Sequence, residues 1–195
     1  MKCYFLVILI PVVFLFSSIN AKTGIAASGG LLYPGFEKSE RFGSRFRVGP
    51  GFDITLRHNL FRLSPSVIVD SRYSIRNYYC DVNLSDEDAR FTFSYMSIDL
   101  TLPLKQISRW QLYGGAGLSL NLLSGHRRYF NEDVTDVVLM PELITGIEYK
   151  FGEDFNLYLE TMLQYGFLSV DSDKDFIPIH GIKIALGGTM FVSVE

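Results

Sequence analysis

Apolar and polar residues alternate with a period of two along most of the chain beyond residue 21, and this alternation predicts strands. Over residues 46–57, Phe46, Val48, Phe52, Ile54 and Leu56 share one face, while Arg47, Gly49, Asp53, Thr55 and Arg57 share the other. Residues 62–70 repeat the pattern, with Ile68 as the exception. Leu112, Ala116, Leu118, Leu120 and Leu122 oppose Tyr113, Gly115, Gly117, Ser119 and Asn121. Leu157, Leu159, Leu163, Tyr165 and Phe167 oppose Glu160, Gln164 and Gly166, and Ile182, Ile184, Leu186, Met190 and Val192 oppose Lys183, Ala185, Gly187 and Thr189. Residues 24–31, 90–104 and 137–151 alternate more loosely. Helical spacing fits none of these segments well, and no repeat of 20 to 50 residues is evident.

About eight strands result, most of them reaching the ~9–11 residues that a tilted strand needs to cross a bilayer. The segments between them fall into two classes. Residues 57–62, 105–109 and 152–156 are short, whereas 29–44, 74–90, 123–136 and 168–179 are long and polar. Short and long connections alternate, which is the pattern of an outer-membrane barrel with short periplasmic turns and longer external loops. The predicted fold class is therefore all-β, an eight-stranded antiparallel up-and-down transmembrane β-barrel. Pro50 and Pro65 stand against two of the strands, because proline cannot donate to a ladder, and they fit best near strand ends or bulges.

The N-terminus changes which residues belong to that barrel. Lys2 precedes an apolar stretch from Tyr4 to Phe16 and a small, polar exit at Ser17 to Ala21, the layout of a cleaved signal peptide. The stretch is shorter than the ~20 residues of a spanning helix, and Pro11 interrupts it. The expected division is a signal peptide over 1–21 and a barrel domain over 22–195. Cys3 lies in the removed part, so Cys80 is the only cysteine of the mature chain and no intramolecular disulfide can form. The connection reading places Cys80 in a long external loop. Composition supports strands: 48% of residues are hydrophobic and 14% aromatic, with no second apolar run long enough for a spanning helix. A net charge of −3 leaves no basic footprint for nucleic acid.

Parity also predicts the interior. Arg47, Asp53, Arg57, Arg62, Asp70, Arg72, Asp99, Glu142, Glu148, Glu160 and Lys183 fall on the face opposite the apolar one. Each Arg or Lys facing lipid near the midplane costs roughly 2–4 kcal/mol, so these residues are expected to turn inward and pair. An eight-stranded interior is just wide enough for side chains to fill it, which predicts a salt-bridged plug and not a pore. Aromatic residues near the strand ends, among them Phe42, Phe46, Phe61, Tyr73, Phe91, Phe93, Trp110, Phe151, Phe155, Tyr165 and Phe167, are placed in two interfacial girdles.

Candidate chemistry is sparse. A lipid-modifying enzyme needs Ser or His with partners at one rim, and the histidines are His58, read at a short turn, His126, read in a basic loop beside Arg127 and Arg128, and His180, read at a strand start. His126 can approach Ser124 in sequence, but no acidic orienter or nucleophile elbow accompanies it. The run Asp171, Ser172, Asp173, Lys174, Asp175 opens like a calcium loop, yet Phe176 stands where Gly is required and Ile182 where a bidentate Glu is required. Asp86, Glu87, Asp88, Glu132 and Asp133 read as solvated loop charges. No catalytic, cofactor-binding or metal-ligating residues are assigned, and no cofactor is expected.

Leu63-Ser64-Pro65-Ser66-Val67, Leu112-Tyr113-Gly114-Gly115-Ala116-Gly117-Leu118, Gly146-Ile147-Glu148-Tyr149-Lys150-Phe151, and Leu159-Glu160 followed by Gln164-Tyr165-Gly166-Phe167 resemble the small outer-membrane barrel domains grouped as PorT-like and OmpA-like proteins of Gram-negative bacteria. The resemblance spans nearly all of residues 22–194. Two positions depart from it: residues 95–99 lack a proline those proteins tend to carry, and the last residue is Glu195 instead of an aromatic one. The resemblance implies an outer-membrane location, lipids as surroundings and an envelope or secretion-assembly protein as partner. The expected function is that of a monomeric, non-enzymatic barrel with a structural or surface-interaction role carried by its external loops. The alternatives are a lipid-modifying outer-membrane enzyme and a soluble periplasmic barrel with its apolar face turned inward around a ligand.

Overall fold

The computed structural model describes residues 22–36, 45–64, 67–84, 87–127, 132–169 and 176–192. Eight long strands follow one another: β1 (Thr23–Phe36), β2 (Gly49–Ser64), β3 (Val67–Leu84), β4 (Glu87–Ile107), β5 (Trp110–Arg127), β6 (Glu132–Lys150), β7 (Phe155–Ser169) and β8 (Phe176–Val192). Each pairs antiparallel with the next, and β1 pairs with β8 from Thr23↔Val192 to Phe36↔Ile179, which closes the barrel. A two-residue strand, Arg45–Phe46, lies on the upper part of β3. Closure gives every long strand two neighbours and so removes the open edges of a flat sheet.

Orientation of the faces follows the predicted parity. Leu118 is 54% exposed on the outside and its neighbour Ser119 is fully buried inside; Leu186 is 65% exposed and Lys183 is 2% exposed. In water such an apolar belt would be costly, at roughly 25 cal/mol for each Å² left uncovered, so this surface is built to face lipid. The arrangement is opposite to that of a soluble ligand carrier, whose apolar face would be inside.

Several connections differ from expectation. Residues 57–62 are not a turn: β2 runs through them to Ser64, with bulges between Asn59 and Phe61 and between Arg62 and Ser64. The segment read as one strand over 62–70 is split between the end of β2 and the start of β3, because the alternation, interrupted only at Ile68, continues across the chain reversal and hides it. At the opposite end, the described residues of the segments read as long loops are strand. β3 and β4 pair as far as Leu84↔Glu87, and β5 and β6 as far as Arg127↔Glu132. With 18 and 21 residues, β3 and β4 exceed what a bilayer crossing requires, so the hairpin projects beyond it. Polar composition there reflects water around a projecting ladder and not the absence of a ladder.

Turns at the other end sit where expected, at Ser108–Arg109 and residues 151–154. Ser108 has φ 55°, the left-handed conformation this tight reversal requires. Pro50 is the second residue of β2, opposite Leu31 of β1 and one residue before the β2–β3 ladder begins at Gly51↔Tyr78, a strand-end position of the kind that tolerates proline. Pro65, residues 1–21 and residues 171–175 lie outside the described residues.

The charged interior as candidate functional site

Three tiers of ion pairs fill the lower and middle lumen, reckoned upward from the end with the short turns. In the lowest, Arg57 of β2 donates through Nη1 to Glu148 Oε2 at 2.7 Å and to Thr189 Oγ1 at 3.0 Å, and through Nη2 to Asp70 Oδ2 at 3.0 Å. Asn156 donates to the other Glu148 oxygen. The guanidinium also lies 5.3 Å from the centre of the Phe191 ring. In the next tier Arg72 of β3 donates to Glu160 Oε2 at 2.6 Å, joined there by the Tyr113 hydroxyl at 3.0 Å, and it stacks 4.5 Å from the Tyr113 ring centre. Lys183 links Glu160 at 3.5 Å to Asp53 at 2.6 Å, and Asp53 accepts further bonds from Ser28 and Tyr78.

The uppermost tier centres on Arg76 of β3. Its Nη2 donates to Asp99 at 2.8 Å and its Nη1 to Glu142 at 2.9 Å, while Gln164 holds Glu142 and Ser97 holds Asp99. Each cation thus reaches across the lumen to strands distant in sequence. A buried charge without such a partner would cost several kcal/mol, which is why the parity rule delivers pairs and not isolated ions. The void among Asp53, Arg57, Arg72, Arg76, Asp99 and Glu160 measures about 10 Å³, at the lower limit for one water.

Above Arg76 the lining changes character. Leu32, Tyr78, Cys80, Phe93, Tyr95, Val138 and Met140 all point inward and are at most 3% exposed, whereas Met162 lies lower, its Sδ 3.1 Å from Arg76 Nη1. Phe93 stacks on Tyr95 at 6.3 Å, and Tyr95 meets Tyr78 edge-on at 6.5 Å. The upper lumen is mostly apolar, with the buried amide of Asn121 3.8 Å from Met140 Sδ as its polar member, a change of lining the parity reading did not anticipate.

Most sequence-assigned lumen residues are where they were expected: Asp53, Arg57, Arg72, Asp99, Glu142, Glu148, Glu160 and Lys183 are buried, and Asp70 is partly buried against Arg57. Arg47 is exposed, in the link between Arg45–Phe46 and β2, where its N–H bonds the Asp81 carbonyl. The side chain of Arg62 lies outside the described residues. Arg76 was missed because residues 74–90 read as a loop; continuing the inward set Arg72, Ser74, Arg76 past residue 74 would have found it. For the same reason Cys80 is no loop cysteine. It is fully buried on β3, its Sγ 3.9 Å from the Leu32 carbonyl.

Of the proposed girdle residues, Trp110, Phe151, Phe155 and Tyr165 are exposed at the strand ends, and Trp110, Tyr149, Phe151 and Phe155 form a continuous run of ring contacts. Phe91 and Phe93 instead point into the lumen. The histidines lie within strands. His58 is buried on β2 with Nδ1 3.0 Å from Thr23 Oγ1, His126 pairs with Arg90 and Asp133 in the β5 ladders, and His180 lies on β8 opposite Tyr165. Glu87, Asp88, Glu132 and Asp133 belong to ladders and not to loops. Among the described residues no group of three or more His, Cys, Asp or Glu is arranged to hold a metal.

No protein-family profile and no curated protein matches the sequence. Solved structures do match the fold. A major outer membrane protein from Thermus thermophilus superposes with a TM-score of 0.66 at 14% identity, over 88% of this chain and 99% of that one. Neisserial surface protein A gives 0.55 at 15% identity, over 89% and 97%. Ail, the attachment invasion locus protein of Yersinia pestis, gives 0.53 at 12% identity, over 89% and 99%. The chain has the fold of the small outer-membrane β-barrels. At such identities the likeness extends to the fold alone, and what this barrel does must be argued from its own side chains.

Proposed function

We propose that this outer-membrane barrel acts as a monomeric, non-catalytic surface protein, with its lumen closed by the ion-pair tiers and its projecting strand ends as the contact surface. The observation that carries this reading is the cross-lumen pairing of Arg57, Arg72, Arg76 and Lys183, which leaves a void of about 10 Å³ where a pore would have to run. With transport through the centre disfavoured, the parts left to meet other molecules are the β3–β4 and β5–β6 ends beyond the bilayer. An envelope protein, of the secretion-assembly kind that the PorT-like resemblance implies, is the partner class proposed.

Two measurements test the reading. The refolded protein in planar bilayers should show no single-channel steps; steady ionic conductance would refute the closed lumen. Affinity capture from detergent-solubilised envelopes should return a recurrent envelope protein that is lost when the projecting β3–β4 end is trimmed to a short turn. Recovery of the barrel alone would refute the partner.

A further inference from the structure

Between the Arg72 and Arg76 tiers the wall of the lumen carries only short side chains. Ala26 of β1 stands opposite Thr55 of β2, and Thr55 opposite Ser74 of β3, all three inward and buried. Below this row Arg57 stands opposite Arg72, and above it Asp53 stands opposite Arg76. Long arms thus flank a strip of methyl and hydroxyl groups too small to fill the space between them. The void of about 10 Å³ lies here, lined by Ala26, Thr55 and Ser74 together with the charged groups of the tiers.

The three arginines engage their carboxylates through the far ends of their arms. Nη groups of Arg57 hold Glu148 and Asp70, Nη1 of Arg72 holds Glu160, and Nη groups of Arg76 hold Asp99 and Glu142. The Nε–H of each, nearer the root of the arm, is buried and meets no acceptor among the described residues. Arg57 and Arg72 are cross-strand neighbours, and neither can accept from the other. Thr55 and Ser74 are bonded to each other at 2.8 Å. A buried N–H left without a partner loses its hydration and gains nothing in return, so three of them on residues around one void call for an occupant that accepts hydrogen bonds.

Charge and size narrow the occupant further. The lining holds three cations, Arg57, Arg72 and Arg76, and three anions, Asp53, Asp99 and Glu160, so it asks for no net charge. It also includes an acceptor without a donor, Asp99 Oδ1. A halide would serve only the N–H groups and an alkali cation only the carboxylate, whereas water serves both. The volume suits a single water, and the polar partners are of the number such a water needs. We infer that the middle lumen is a binding site for one resident water, seated over the Thr55–Ser74 pair and accepting from the Nε–H groups of Arg72 and Arg76. That water ties the two upper tiers into one network, beneath the mostly apolar upper lumen and out of contact with bulk solvent. The site does not depend on the surface-contact reading.

The test uses the refolded mature barrel in detergent micelles, labelled with nitrogen-15 at arginine, with water itself as the probe. Cross-relaxation spectra should connect the water signal to the Nε–H protons of Arg72 and Arg76, with the sign of a water that moves with the protein. Oxygen-17 relaxation dispersion counts the long-lived waters in the same sample. Ala26→Val adds two methyl groups at the edge of the void. It should abolish those contacts and lower the dispersion amplitude by that of one water, while the shift in gel mobility on boiling persists. Should Ala26→Val fail to refold, Ala26→Ser, which brings a hydroxyl to the water's place, should give the same fall in amplitude. Arginine Nε–H protons without water contact in the unmodified barrel overturn the proposal whatever the variants do. An unchanged amplitude in a refolded variant also overturns it. Contacts that appear only when chloride is replaced by gluconate, or sodium by choline, would assign the site to an ion and overturn it too.

Discussion

Arg76→Met removes the one cation that two buried carboxylates share. Asp99 and Glu142 have 0% side-chain exposure, and Arg76 bonds them at 2.8 and 2.9 Å. Methionine matches much of the arginine stem but donates nothing, so both acids remain in the barrel without their counterion; Ser97 and Gln164 supply only neutral hydrogen bonds. Breaking a buried pair from one side typically costs about 3–5 kcal/mol, and because two acids lose the same partner, the upper part of that range is expected. Arg76→Met with Asp99→Asn and Glu142→Gln should recover most of the loss, since the penalty lies in uncompensated charge and not in missing bulk. The assay is equilibrium urea titration in lipid vesicles at neutral pH, read by the fluorescence of Trp110 and by the shift in gel mobility on boiling. A loss below about 1 kcal/mol for the single variant, the range of an exposed pair, or a triple variant no better than the single one, would refute the claim that Arg76 organises this tier.

Three further outcomes follow from the same geometry. Leu118→Lys should destabilise the barrel by roughly 2–4 kcal/mol if the site lies near the bilayer midplane, whereas an inward apolar face would make it harmless in the same titration. Gly117→Ala should cost about 1–3 kcal/mol through overpacking, because its Cβ would stand 1.9 Å from Asp99 Oδ1 and 2.6 Å from the Ile98 carbonyl; an unchanged urea midpoint would show that Asp99 can shift freely. Cys80 should resist a polar maleimide in the folded barrel and react after unfolding, since it is fully buried; rapid modification of the folded form would contradict its place on β3.

Period-two alternation carried the architecture because each face meets a different medium, lipid outside and paired polar groups inside, and the sequence must obey both. Leu118 beside Ser119, and Ile184 beside Lys183, are legible for that reason. The reading failed where only one constraint acts. Beyond the bilayer the outer face meets water, so Asn77, Asp81 and Ser94 look like loop while their neighbours Tyr78, Cys80 and Phe93 point inward on ladders. Turn position was equally obscure at residues 57–70, where no glycine or other strong turn signal interrupts the alternation except Pro65. The charged tiers were legible as a set of residues but not as partners. Arg57 meets Glu148 and Arg72 meets Glu160 across the lumen, and such contacts depend on tilt and register, which the order of residues along a strand does not reveal.

The closing ladder between β1 and β8 bears on how the barrel comes to exist. Every other ladder between long strands joins strands adjacent in the chain and can form as a hairpin soon after its two halves are available, whereas Thr23↔Val192 to Phe36↔Ile179 joins the two extremes. Loop-closure entropy makes such an end-to-end pairing the slowest to find. Until it forms, the growing sheet carries two bare edges, each a template for misassembly. Weakening an interior hairpin should therefore mainly hasten unfolding, while weakening the β1–β8 seam should prolong the edge-exposed intermediate. The chain's exposure to aggregation is set at that junction, and Gly24, Gly30 and Gly187, where a Cβ would come within 3 Å of the facing strand, let it close but give its two strands little intrinsic drive to pair early.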